Sequence, residues 1–174
     1  MNLPDQFSAI KAFVFDMDGV LTDGSLLILP EGEYVRTMNI KDGYALQRAV
    51  KAGYHVVVIS GSYSKPCKER LAYLGIQQVF MQVKHKEEVL AQYMQKYQLQ
   101  SHEILFMGDD IPDRAVMQLS ALPCCPADAV PEIKAIARYI SPFGGGQGCV
   151  RDVIEKVMRV QRTWFADQSD VAAQ

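Results

Sequence analysis

The stretch FVFDMDGVLTDG, residues 13–24, decides the fold. An apolar run over residues 10–15 breaks off at Asp16, Asp18 and Gly19. Carboxylates cannot continue a buried strand without a large desolvation cost, so the chain must be leaving a sheet at this point. A second stretch, ILFMGDDIPD at residues 104–113, follows the same grammar: a β-prone run over 104–107, then Gly108, Asp109, Asp110 and, past Pro112, Asp113. In parallel α/β sheets, ligands bind outside the carboxyl ends of the strands, so the two clusters are expected to meet at one crevice. Acids gathered there repel one another and raise one another's pKa unless a cation lies among them. Hard oxygen donors favour Mg2+.

Outward from these two anchors the pattern alternates strand and helix. The segment SLLILPEGEYVRTMNIKDG, residues 25–43, reads as two short strands, 25–29 and 34–37, joined by the turn residues Pro30, Glu31 and Gly32, hence a β-hairpin beside Asp18. Helical spacing over 44–52 stops at Gly53, and 55–59 is a continuous apolar strand. A helix over 66–74 closed by Gly75, a strand at 78–81, a helix over 86–97 and the strand ending at Met107 continue the alternation. Pro112 and Pro131 fit the first turns of two more helices, with a short strand at 122–124 between them and an edge strand at Tyr139 and Ile140. The glycines at 144–148 form a loop, and a helix over 149–165 carries Val150, Val153, Ile154, Val157 and Met158 on one face. The expected fold is therefore α/β, doubly wound around a mainly parallel, Rossmann-like sheet, with a small protruding hairpin. Residues 1–166 form a single domain, and 167–174 form a mobile polar tail.

Composition sets outer bounds. The chain has 174 residues, a net charge of −2 and 49% apolar residues, enough for one domain with a substantial core. No run is long and apolar enough to span a bilayer, and the first residues lack signal-peptide regions, so a soluble, cytoplasmic protein without a membrane partner is expected. Cys67, Cys124, Cys125 and Cys149 show no metal-site spacing and read as buried reduced thiols. The absence of a basic stripe argues against a nucleic-acid partner. His55 and His102 have no acid or nucleophile nearby in the pattern, and Trp164 and Phe165 read as core or interface anchors.

The string DMDGVLTDG after an apolar strand resembles the first signature of the haloacid dehalogenase superfamily of phosphatases. Side chains two apart on an extended backbone face the same way, so both carboxylates can address one phosphate. Ser60 before Gly61, the lysines Lys84 and Lys86 around His85, and the Gly108 to Asp113 run follow in the superfamily's order. MNIKDGYALQ (38–47), CCPADAVPEI (124–133) and GGQGCVRD (145–152) extend the resemblance to the capless subgroup of sugar-acid phosphatases, which includes octulosonate 8-phosphate phosphatases, over about residues 8–162.

The resemblance implies a phosphoric monoester hydrolase in which Asp16 attacks phosphorus, Asp18 serves as general acid and base, and Ser60 and Lys86 hold phosphate oxygens, with Lys84 the other choice of lysine. Mg2+ would be held by Asp16, the Asp18 carbonyl and Asp109, with Asp113 ordering its water shell, while Asp110 reads as a helix cap. Asn39, Lys41, Asp42, Gly43 and Arg70 would contact substrate. The implied partner is a small phosphorylated sugar acid, 3-deoxy-D-manno-octulosonate 8-phosphate of lipopolysaccharide biosynthesis. Gln47 and Ser62 depart from the subgroup, where many members carry arginine, so nine-carbon keto acid 9-phosphates remain open. The subgroup has no cap domain, and its four subunits join through their hairpins to close each active site, which implies a homotetramer. Two other readings are a non-catalytic oligomerisation module and a receiver domain. The intact signatures disfavour the first, and the DxD start fits the second poorly.

Overall fold

The computed structural model describes residues 2–165; the tail expected at 167–174 lies outside them. Its centre is a parallel sheet in the order β5-β4-β1-β6-β7-β8. The strands are β1 (Ala12–Phe15), β4 (His55–Ile59), β5 (Gln78–Phe80), β6 (Ile104–Met107), β7 (Leu122–Cys125) and β8 (Tyr139–Ile140). The chain runs outward from β1 to β5 and then returns to place β6 on the other side of β1. The carboxyl ends of β1 and β6 therefore flank the point where the winding reverses, and Phe15 pairs with Met107 at that end.

Alternation along the strands divides the core in two. Phe13, Phe15, Val56, Val58, Leu105 and Met107 face one layer. Ala12, Val14, Val57, Ile59, Ile104 and Phe106 face the other. The first layer receives α1 (Leu3–Ala9), α2 (Ile40–Lys51), α3 (Lys65–Tyr73) and α7 (Cys149–Val160). The second receives α4 (Lys86–Tyr97), α5 (Arg114–Met117) and α6 (Pro131–Lys134). Strands buried on both faces explain why the sequence shows continuous apolar runs there rather than half-buried alternation.

The hairpin is present as β2 (Leu27–Ile28) paired antiparallel with β3 (Tyr34–Val35), shorter than the sequence suggests. Several boundaries also differ. Helix α1 was not anticipated; the Asn2 side chain accepts the Asp5 N–H at 2.9 Å and starts it. Helix α2 begins four residues before the expected position 44, because Asn39 Oδ1 accepts the N–H of Lys41 at 2.8 Å and of Asp42 at 3.4 Å. The segment around Pro112 forms a single 3-10 turn, Ile111–Asp113, before the short α5. Helix α7 stops at Val160, short of the expected 165, and Trp164 folds back into the core with its ring beside Tyr44.

Candidate active site

Each carboxylate owes its position to a strand end. Asp16 follows β1, and its N–H still donates to the Met107 carbonyl of β6 at 3.0 Å, so its backbone is locked in the ladder. Asp109 lies two residues beyond β6. The chain turns away from Asp18 at Gly19, whose φ of +84° suits glycine and where a Cβ would collide with the Asp109 carboxylate. The two acidic loops are in contact through that glycine.

A cleft of about 320 Å3 opens here, lined by Asp16, Asp18, Ser60, Ser62, Lys86 and Asp109 together with Asp113. Lys86, at the first position of α4, is buried and reaches Asp16 Oδ1 at 2.8 Å and Asp113 Oδ1 at 2.7 Å. Asp16 Oδ1 also accepts the Met17 N–H at 2.7 Å. Asp113 is 1% exposed, and its second oxygen accepts the Asp109 N–H at 3.0 Å, so it organises its neighbours rather than facing solvent. Asp110 accepts the Ile111 N–H at 2.7 Å as a cap. Ser60, directly after β4, is buried with its hydroxyl 3.1 Å from the Ser62 hydroxyl. Lys84 is exposed on the rim.

The electrostatics call for a cation. Oxygens of Asp16, Asp109 and Asp113 lie within 4.8 Å of one another. Burial first, and then repulsion from Asp113, pushes Asp16 up to about 8 even though Lys86 pulls the other way. Burial and the neighbouring Asp113 and Asp110 push Asp109 up to about 7. Burial alone would lower Lys86, but the Asp16 and Asp113 carboxylates outweigh it and hold the ammonium above its ordinary value. Asp109 Oδ1 is buried without a hydrogen-bond partner among the described residues. An orphaned hard oxygen between two further carboxylates fits a magnesium-sized ion.

The expected substrate residues are placed less uniformly. Gly43 abuts Arg70, whose Nη2 would sit 3.2 Å from a Cβ there. Asn39 caps α2 and donates from its amide to the Gly146 carbonyl at 3.2 Å, tying that helix to the glycine loop. Lys41 is exposed and lines a neighbouring cavity with Arg151 and Arg159. Asp42 is 1% exposed, and its two oxygens accept the Arg151 N–H at 2.7 Å and the Gly148 N–H at 3.2 Å. It caps α7 and does not line the acidic cleft. The glycine loop packs on the first acidic turn: Gly145 and Gly146 lie against the backbone of Gly19 to Asp23 and buttress it. Two participants were missed, Arg36 and the Ser62 hydroxyl, both bonded to Asp18. A lone arginine within the apolar hairpin was the available signal for the first.

Fold and site together place clustered carboxylates and one buried lysine at the switch point of a parallel sheet. The sequence profile of haloacid dehalogenase-like hydrolases matches residues 76–148. The 3-deoxy-D-manno-octulosonate 8-phosphate phosphatase of Escherichia coli K12 is 30% identical over 152 residues, covering 87% of this chain and 81% of that protein. Among solved structures, the phosphatase of the same description from Yersinia pestis superposes with a TM-score of 0.91 at 27% identity, covering 94% of this chain and 89% of the other. The Moraxella catarrhalis phosphatase, solved in complex with a magnesium ion, a phosphate ion and a KDO molecule, superposes with a TM-score of 0.90 at 26% identity and 94% coverage of both chains. The chain belongs to the haloacid dehalogenase-like hydrolase family and is a phosphoric monoester hydrolase resembling the capless sugar-acid phosphatases.

Proposed function

We propose that this enzyme is a Mg2+-dependent phosphatase that hydrolyses 3-deoxy-D-manno-octulosonate 8-phosphate to the free sugar acid and phosphate. The observation that carries the reading is the convergence of Asp16, Lys86, Ser60 and Asp109 on one cleft, in a chain whose relatives bear that substrate in their names. Asp16 is the nucleophile. Met17 N–H and Lys86 both donate to Oδ1, which leaves Oδ2 to attack phosphorus in line as the ester P–O bond breaks. Asp18 gives a proton to the departing sugar oxygen and then takes one from the water that attacks phosphorus, so that the Asp16–phosphate bond breaks and inorganic phosphate leaves. Lys86 and the Ser60 hydroxyl hold the equatorial phosphate oxygens.

Asp16, Asp109 and the Asp18 backbone would hold Mg2+, with Asp113 ordering its surroundings. When bound, the ion supplies charge neutralisation on the phosphoryl group and lets the clustered acids stay ionised.

The exposed apolar hairpin residues Leu26, Leu27, Ile28, Tyr34 and Val35 support association through the hairpins, as in a homotetramer whose subunits close one another's sites. The four buried free thiols suit a cytoplasmic enzyme. Ser62 spends its hydroxyl on Asp18 where an arginine was expected, which keeps nine-carbon keto acid 9-phosphates as the competing substrates.

Phosphate release from a panel of eight- and nine-carbon sugar-acid phosphates, with and without Mg2+, tests the reading. The octulosonate ester should give the highest kcat/KM, and only with the ion. A preference for a nine-carbon ester moves the assignment to that substrate. Inactivity on every ester leaves a binding or oligomerisation role.

A further inference from the structure

The hairpin delivers one charged group to the site that the phosphoryl chemistry does not use. Arg36, the residue after β3, donates from Nε to Asp18 Oδ1 at 2.6 Å and from Nη2 to Asp18 Oδ2 at 3.2 Å. Its Nη1 turns back to the Tyr34 carbonyl at 3.3 Å. Asp18 Oδ2 also accepts the Ser62 hydroxyl at 2.6 Å, so both oxygens of the carboxylate that must serve the leaving group are engaged.

Exposure distinguishes the two partners. The Arg36 side chain is 4% exposed, whereas that of Asp18 keeps 32%. A covered guanidinium needs an anionic partner, and its planar fork matches any carboxylate equally well, whether from the protein or from a ligand. The cations that line the cleft are placed differently: Lys86 contacts Asp16 and Asp113, where the phosphate would seat, and Lys84 stands exposed on the rim, whereas Arg36 meets the cleft through Asp18.

We propose that Arg36 is a specificity-determining residue whose guanidinium passes from Asp18 to the carboxylate of a sugar-acid phosphate when the ester's phosphate seats at Asp16. The inference rests on the phosphatase reading above and adds the means by which a carboxylated ester is told from a neutral one. One carboxylate replaces another in the same fork, so the covered guanidinium is never stranded without a counter-charge, a state that is strongly disfavoured. Asp18, still held by Ser62, is cleared on one side for the leaving oxygen. A neutral ester brings no second anion, and Arg36 stays where it is. Because Arg36 is carried by the hairpin, the hairpin's pose becomes part of the selection.

The test compares wild type, Arg36→Gln and Arg36→Lys, each with Mg2+, on three esters: 3-deoxy-D-manno-octulosonate 8-phosphate, glucose 6-phosphate and p-nitrophenyl phosphate. Wild type should favour the carboxylated ester. In Arg36→Gln its kcat/KM should fall by roughly tenfold or more, chiefly through KM. Turnover of the two carboxylate-free esters should rise, because Asp18 is no longer clamped. Arg36→Lys, which keeps the charge without the fork and guards against a misfolded first variant, should retain part of the preference. Equal losses on all three esters would reduce Arg36 to holding Asp18 in place, and an unchanged preference in Arg36→Gln would remove it from substrate selection; either overturns the proposal. Wild type that hydrolyses p-nitrophenyl phosphate but shows no preference for the carboxylated ester overturns this inference alone. Wild type inactive on every ester sinks the parent reading with it.

Discussion

The Lys86 ammonium stands 2.8 Å from Asp16 Oδ1. It is the one positive charge in contact with Asp16, the proposed nucleophile, among the described residues, and it bonds Asp113 as well. Lys86→Met therefore strands two buried carboxylates. An uncompensated buried charge costs about 3–5 kcal/mol, but Asp16 can take up a proton instead, so a loss of about 2–3 kcal/mol is expected. Urea unfolding measures it, and phosphate release should fall with it.

Asp16→Asn should abolish turnover, by roughly a thousandfold or more, since the amide cannot attack phosphorus. The fold should survive, because the backbone of residue 16 stays in the ladder through Met107. A melting temperature at pH 8 equal to or above that of wild type, alongside the lost activity, is the expected pair of readings.

Burial raises Asp16 to about 8 and Asp109 to about 7 in the cation-free protein. Between their ordinary carboxylate values and these raised ones, the folded state binds more protons than the unfolded state. Stability consequently falls as pH rises through that window and levels off above about pH 8. Asp42, raised to about 6 by burial against the pull of its two backbone donors, adds to the same trend at the acidic end. Thermal melts of the metal-free protein should show higher stability at pH 6 than at pH 8. Added Mg2+ should raise the melting temperature more at pH 8, where the ligands are ionised before the ion arrives, than at pH 6.

Asp42→Ala leaves the N–H groups of Gly148 and Arg151 without their acceptor at the start of α7, at a cost of about 1–3 kcal/mol. The KM for the sugar-acid ester should change little, since Asp42 does not line the cleft. A large rise in KM in a variant of near wild-type stability would return Asp42 to the substrate-contact role its position in the sequence suggests.

Gly19→Ala should be among the most damaging small changes at the site. It forces a side chain into a φ of +84° and drives its methyl against the Asp109 carboxylate. Mg2+ titration by calorimetry should show weakened binding beyond any loss explained by unfolding.

The parallel sheet and its two acidic ends were legible because their signal is local. A strand buried on both faces must be apolar throughout and must stop at its first carboxylate, and residues 13–16 and 104–109 say so without help from the rest of the chain. Cap positions were harder to read. Asn39, Lys41, Asp42 and Gly43 look alike as a polar approach to a helix, and nothing local tells a cap from a ligand contact. Asp42 acquired its partners from residues 148 and 151, brought to it by the packing of α2 against α7.

The amino-acid sequence by itself determined the strand order of polar and apolar runs, the turn residues and the two aspartate pairs, since each is set by the solvation needs of neighbours along the chain. Only the tertiary structure decided which acids lose their water, that Lys86 rather than Lys84 pairs with Asp16, and that the hairpin brings Arg36 onto Asp18. Desolvation and ion pairing depend on which groups arrive from elsewhere in the chain, and that is a property of the closed fold.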